Sequence, residues 1–368
     1  MKIIVVAEFL AGSSAPTGDL VSDFIDYARE SGQAKFVTII APGRYIPGGL
    51  GPRRIRNLIW INSTLFLKSL WHRLFSFAKR EPIGIFVTTA PPAIQWSAFI
   101  VGFVLRIPVV MWFQDSHPEV EARIIEVKGY HRSAAFLRWL DRKLMPLCKA
   151  VTCLDESMRD DLLARTGYEG PIEITYPWAT YLEPAHPFRA KSSSEKYSLL
   201  YAGNYGTAHD LSPLAIEVAK LSIEEQRRYK FTFVGMSPKA QAHLKELFAG
   251  LASNVELLPR FATIDGLFAK YIESDFGIVC LRKDYSGIVC PSKAFTYLSQ
   301  GLPLFYVGPE NSMSWNLCKR GWGYTMEDWF GLTRDEARDR IAPNIGKTFP
   351  NPKARSRDEV MQLLLRTI

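Results

Sequence analysis

Three groups of residues in this 368-residue chain have the types and spacing to do chemistry. The first is Pro291-Ser292-Lys293, where a short aromatic helix would begin. Proline is tolerated in a first helical turn because its missing N–H would have no intrahelical acceptor. The amides that follow lead out of the turn, and a hydroxyl and an ammonium stand beside them, which makes a ready anion site. The second group is Tyr201-Ala-Gly-Asn-Tyr-Gly206, a strand running into a turn whose glycines let backbone approach an anion closely. The third is Asp115 with His117, at the end of the apolar run 109–113. An acid and a base two residues apart at a strand end can move a proton; the same pair can equally be a loop Asp and His making turn hydrogen bonds. Glu8 is a weaker candidate base, and Glu119 and Glu121 read as solvated carboxylates.

Such groups need strand ends to hold them, and the chain supplies these in two series. Strand-like runs at 2–7, 36–40, 83–88, 109–113, 150–154 and 172–176 alternate with helical patterns at 19–30, 54–79, 91–105, 134–147 and 156–165. Residues 177–196, with Pro177, Pro184, Pro187 and three consecutive serines, read as a linker. The alternation then resumes with strands at 198–202, 230–234, 255–258, 276–280 and 304–307, and helices at 211–221, 239–251 and 264–272 between them. The expected fold is α/β, two doubly wound Rossmann-like domains facing a cleft. The boundaries are 1–185 for the first domain, 186–197 for the linker and 198–350 for the second. Residues 351–368 form a final helix that packs back on the first domain. Folds of this kind hold ligands at the carboxyl ends of their strands.

Composition narrows the classes. Hydrophobic residues make up 47% of the chain, enough for two full cores. The five cysteines, Cys148, Cys153, Cys280, Cys290 and Cys318, form no CxxC pair, which argues against zinc and for buried or free thiols in a reducing compartment. The run 94–105 is too short to cross a bilayer, which takes about 20 residues. A cytoplasmic protein, or one peripheral on the cytoplasmic face of a membrane, is expected. The net charge of +8 is unevenly spread: no acid lies between Glu30 and Glu81, while Arg53, Arg54, Arg56, Lys68, Arg73, Lys79 and Arg80 do, among Trp60, Phe66, Trp71 and Phe75. Three readings stand. One is a membrane interface, with cations at anionic headgroups and rings at the acyl boundary. Another is a core helix with a solvated basic face. The last is a nucleic-acid surface, with no RNP, helix-turn-helix or zinc-finger pattern to accompany it.

Pro291-Ser292-Lys293, an aromatic helix and Gly301-Leu-Pro303 before a strand resemble the donor-phosphate segment of GT-B glycosyltransferases, closest to the retaining, family-4-like subgroup that builds bacterial surface polysaccharides. Other segments resemble that subgroup in the same order: Phe86-Val-Thr-Thr-Ala-Pro-Pro92, Gln114-Asp-Ser-His-Pro-Glu119, Val151-Thr-Cys-Leu-Asp-Glu-Ser-Met158, Tyr176-Pro-Trp-Ala179 and Tyr201–Gly206. The likeness runs from about Met1 to Met326. It implies that Gly18 lies near donor phosphates or acceptor. It implies that Gly203, Ser292 and Lys293 hold the diphosphate of a nucleotide sugar, that Arg260 and Phe261 receive the base, and that Asp115 and His117 face the reaction centre. The chain also departs from the pattern. Thr296 and Ile288 stand where many members carry a Glu pair, and Asn204 and His209 where many carry Arg and Lys. Lys293, His209, Arg282 and Lys283 are at hand to take over the neutralising role.

The implied activity is transfer of a sugar from a nucleoside-diphosphate sugar to a hydroxyl of a lipid-linked or polysaccharide acceptor at the inner-membrane surface. It is expected to be a hexosyltransferase reaction, metal-independent because no Asp-x-Asp is present, with no cofactor beyond the co-substrate and no nucleic-acid partner. The missing Glu pair supports the alternative of a catalytically silent binding or assembly subunit of the same fold; another GT-B enzyme, an epimerase or a phosphorylase, is a third reading.

Overall fold

The computed structural model describes residues 1–7, 16–34, 36–40, 52–79, 81–89, 93–179, 186–189, 196–261, 263–332 and 334–368. Glu8, the loops 8–15 and 41–51, residues 190–195 of the linker and the side chains of Arg53 and Arg54 lie outside what it describes. The chain divides into two compact units. One is Met1–Thr180 with Gly287–Cys290 and Pro352–Ile368; the other is Tyr181–Ser286 with Pro291–Asn351.

The first unit runs β1 (Lys2–Val6), α1 (Pro16–Glu30), β2 (Phe36–Ile40), α2 (Pro52–Lys79), β3 (Ile83–Thr88), α3 (Ile94–Leu105), β4 (Val109–Phe113), α4 (Glu119–Val127), α5 (His131–Leu144), β5 (Ala150–Cys153), α6 (Glu156–Thr166) and β6 (Ile172–Ile174). Its strands are all parallel, in the order β2-β1-β3-β4-β5-β6. β1, β3, β4 and β5 are buried at every position, as strands covered on both faces must be. Phe86, Trp112 and Trp178 stack in series in the core, and Phe24 meets the first two at a tilt and edge-on.

The final helix packs on this unit, against its first helix and against β5 and β6. Asp23 of α1 fixes it, pairing with Lys353 at 2.8 Å and Arg357 at 3.4 Å while accepting the Trp178 indole N–H at 2.9 Å. Gly84 makes room for the chain end, since a Cβ there would lie 2.1 Å from Ile368 Cδ1.

The second unit runs β7 (Tyr197–Ala202), α7 (Ser212–Ala219), α8 (Ile223–Gln226), β8 (Tyr229–Val234), α9 (Pro238–Phe248), β9 (Asn254–Leu258), α10 (Ile264–Glu273), β10 (Phe276–Cys280), α11 (Lys293–Ser299), β11 (Leu304–Val307), α12 (Met313–Leu317), β12 (Gly323–Thr325), α13 (Met326–Gly331) and α14 (Arg334–Ile341). The closing helix already described is α15 (Lys353–Thr367). The strand order is β12-β11-β10-β7-β8-β9, again parallel. Chain direction across this sheet reverses between β7 and β10, the place where doubly wound folds open a ligand crevice. α11 is seated there by Tyr297, whose hydroxyl accepts the Ala202 N–H at 2.9 Å. Gly277 on β10 allows it, because a Cβ would stand 2.3 Å from the Tyr297 ring.

The elements differ from expectation in instructive places. α1 starts three residues early, at Pro16, so Gly18 is buried inside its first turn rather than in the preceding loop. Proline fits that first position for the reason given for Pro291. α4 was unforeseen, because its nine residues are too few for a sustained period and its carboxylates read as surface. The short elements α8, α12, α13, α14 and β12 also escaped, each too brief for a periodic signal. All five cysteines are free and buried.

Candidate functional site

At the carboxyl ends of β7 and β10, the second unit gathers unpaired positive charge. Lys293 opens α11, and its ammonium lies 3.5 Å above the centre of the Tyr201 ring. That nitrogen is shut off from solvent and has no hydrogen-bond partner among the described residues. A buried charge without a counter-charge is costly, so burial draws the Lys293 pKa down to about 8. The first bonded amides of the helix are Ala294, to Pro291 O at 3.4 Å, and Phe295, to Ser292 O at 3.1 Å. The N–H groups of Ser292 and Lys293 come before them, and the Ser292 hydroxyl caps nothing. Thr296, one turn on from Ser292, is half-buried.

The turn after β7 completes this cluster. Gly203 sits at φ +111°, and a Cβ there would meet nothing within 4 Å, so the position demands glycine for its backbone and leaves open space. Its N–H is spent on Val234 O at 3.0 Å, so it is not an anion donor. Asn204 is exposed, and its carbonyl accepts the Tyr201 hydroxyl at 2.8 Å. His209 takes the Gly206 N–H on Nδ1 at 2.9 Å, which puts the ring proton on Nε2. Burial first, then the nearby Lys293 ammonium, push its pKa down to about 3. His209 is therefore a neutral donor, not the second cation expected. Arg282 spends its guanidinium on Asp284 at 2.9 Å, and Lys283 is exposed. Arg260 is exposed and Phe261 half-buried beyond the end of β9.

In the first unit, the loop after β4 is pinned from several sides. Thr89 Oγ1 accepts the amides of Gln114 and Asp115, each at 3.3 Å. The Gln95 side chain donates to His117 O at 2.9 Å, and the Ser116 amide donates to Ile288 O at 2.8 Å. Asp115 also bridges Val289. Burial raises the Asp115 carboxyl above the usual range, against the pull of His117. The His117 amide donates to the Asp115 carbonyl at 2.8 Å, while the ring turns to another carboxylate. Its Nδ1 meets Glu121 at 2.7 Å, one turn along α4. A carboxylate holding one ring nitrogen fixes the orientation of the ring. Glu121 is thus no free surface carboxylate, and Glu119 is buried between Arg123 and Arg138 at 3.2 and 2.7 Å. The i,i+4 spacing of His117 and Glu121 was the available signal, but it is meaningful only once α4 is known to start at Glu119.

Of the basic aromatic segment, Arg56, Trp60 and Trp71 are exposed on α2, so the segment is not an internal core helix on that side.

No family profile and no curated protein matches this chain in sequence. Solved structures do match it in fold. The lipopolysaccharide outer core galactosyltransferase WaaB is similar over 99% of this chain and 100% of its own, with 14% identity and a TM-score of 0.63. The α,α-trehalose 6-phosphate synthase of Burkholderia multivorans is similar over 99% and 96%, at 10% identity and 0.60. HepE of Anabaena, solved with UDP, is similar over the whole of both chains, at 12% identity and 0.59. The fold is that of the GT-B glycosyltransferases, with two Rossmann-like units.

Proposed function

We propose that this chain, with its GT-B fold, is a glycosyltransferase that moves a hexosyl group from a nucleoside-diphosphate sugar to a hydroxyl of a lipid-linked or polysaccharide acceptor. The setting is bacterial surface-glycan synthesis at the cytoplasmic face of the inner membrane. The observation that carries the reading is the buried, unpaired ammonium of Lys293 at the β7/β10 reversal. A buried ammonium without a counter-charge costs stability, and a bound anion would offset that cost. Departure of a nucleoside diphosphate from an anomeric carbon builds negative charge on phosphate oxygen. Lys293, the leading amides of α11 and the His209 Nε2–H are preorganised donors for it. In this reading protein groups, rather than a divalent ion, stabilise the leaving group. Asp115 and the His117–Glu121 pair handle the acceptor hydroxyl, with His117 as the proton acceptor. HepE, a structure of similar fold, was solved with UDP, which places uridine nucleotides first among donors to test.

The alternative, a silent subunit, is favoured by one observation. Ile288, where the resemblance implies a Glu in many members, is fully buried and its carbonyl holds the Ser116 amide, so that position serves packing here.

Thermal unfolding with uridine, guanosine, thymidine and cytidine diphosphates tests the donor site. A ligand of the folded state adds about 2.7 kcal/mol at 100 times its dissociation constant. One nucleotide should stabilise the native chain and not Lys293→Ala. Stabilisation by none would remove the proposal. Hydrolysis of the matching nucleotide sugar then separates enzyme from silent subunit.

A further inference from the structure

α3 is apolar on both sides. Ile94, Ala98, Phe99 and Val101 face the core, while Ile100, Phe103 and Val104 project outward at i, i+3 and i+4, with Phe103 69% exposed. A surface helix of a globular unit keeps polar residues on its outer side, and one that is apolar all round is surrounded by apolar material. Its neighbour α2 repeats the pattern. Ile61 and Leu65 are buried, while Trp60, Leu67, Trp71 and Leu74 share the opposite stripe, Trp71 being 61% exposed. α5 is tied to α3 by the Trp96 indole, which donates to Asp141 at 2.9 Å, and it exposes the stacked pair Phe136 and Trp139.

The charge on this layer has one sign. From Ser31 to Gln114 the chain holds a single acid, Glu81, and Lys2 neutralises it at 3.0 Å. Around α5, Glu119 and Glu126 are taken by Arg138, and Asp141 by Arg165 at 3.3 Å. Arg56, Arg106, Arg132 and Lys143 are exposed, with no ion-pair partner among the described residues. Arg106 follows directly on the outward face of α3.

We infer that the outer faces of α2, α3 and α5 form one docking surface for an anionic lipid bilayer, with α3 immersed at the headgroup–acyl boundary and the cations at lipid phosphates. Aliphatic and aromatic side chains combined with unpaired Lys and Arg match an anionic interface. Nucleic acid would leave the aliphatic groups unused. A second copy of the chain would set cations against cations. No helix among the described residues is long and apolar enough to cross a membrane, so the contact is peripheral. The inference deepens, and rests on, the proposed membrane-tethered acceptor; it adds α3 and α5 to the basic stretch of α2.

The test is flotation of the full chain with vesicles of phosphatidylcholine alone or with roughly one third phosphatidylglycerol, at low and high salt. The native chain should float with the anionic vesicles, less with neutral ones, and less at high salt. Phe103→Glu with Val104→Glu, both outward-facing, should weaken binding roughly tenfold or more. Ile216→Glu, an exposed position on α7 of the second unit, should leave it unchanged. Thermal stabilisation by nucleotide should survive the double substitution, so failure of the donor reading is seen separately. Absence of flotation with anionic vesicles, or flotation indifferent to the double substitution, would overturn the inference. So would a dimer in light scattering that the same substitution dissolves, which would give the face to a second copy.

Discussion

Two histidines stand after parallel strands, one in each unit, and their neighbours give them opposite characters. His117 follows β4 and has a carboxylate, Glu121, on Nδ1. His209 follows β7 and has a backbone N–H on Nδ1 and an ammonium nearby. The first ring has a carboxylate partner at 2.7 Å. The second is held neutral to a pKa of about 3 and can only donate from Nε2. The same side chain on the same kind of strand end thus meets a carboxylate in one unit and a backbone N–H in the other. Tertiary neighbours, not the residue or its element, make the difference.

The comparison breaks most readily at His117. His117→Ala should cost about 10²–10⁴-fold in turnover with nucleotide affinity intact, read by initial rates and thermal shift. If turnover is unchanged, His117 is not the proton acceptor. Lys293→Met should weaken nucleoside-diphosphate binding about 100-fold, the worth of a charge-assisted hydrogen bond, in calorimetric titration. It should also leave the unliganded chain as stable or more stable, because it removes an unpaired buried charge. A large loss of stability would show that Lys293 serves the fold.

Glu121→Gln tests whether the carboxylate tunes His117 or merely positions it. About a tenfold loss of turnover is expected, with the pH–rate profile displaced, since glutamine keeps a hydrogen bond but not the charge. An unmoved profile would leave Glu121 a structural role only.

The Lys293 pKa gives a pH signature. Phosphate binding requires the ammonium, so nucleotide affinity should fall roughly tenfold per pH unit above about 8. Lys293→Arg, charged throughout, should flatten that slope. In the unliganded protein the sign reverses. The folded pKa of about 8 lies below the ordinary lysine value of 10.5, so the folded state binds fewer protons in between. Stability, relative to Lys293→Met, should therefore rise with pH through that window. A flat difference would place Lys293 in contact with solvent. The smallest effect is Tyr297→Phe, which orphans the Ala202 N–H and should cost about 1–3 kcal/mol in denaturant unfolding.

Much of the fold was legible because period and punctuation are local. Apolar runs mark the central strands of both sheets, Gly301 and Pro303 close α11, and the Pro-Ser-Lys and Gly203 turns stand at the β7/β10 end. α4 was not legible, and with it went the His117–Glu121 pair. A nine-residue helix rich in carboxylates looks like loop until its ion partners are known.

By itself, then, the sequence determined two α/β units, the strand ends that carry polar groups, and a basic stretch without acids. Tertiary structure alone decided that the Lys293 ammonium has no hydrogen-bond partner among the described residues, that burial holds His209 neutral and that the His117 ring meets Glu121. It also decided that α3, legible as an apolar helix, turns Ile100, Phe103 and Val104 outward. The reason is physical. Hydrophobic period is written along the chain, whereas a group's charge state and partner depend on burial and on residues brought from elsewhere in it.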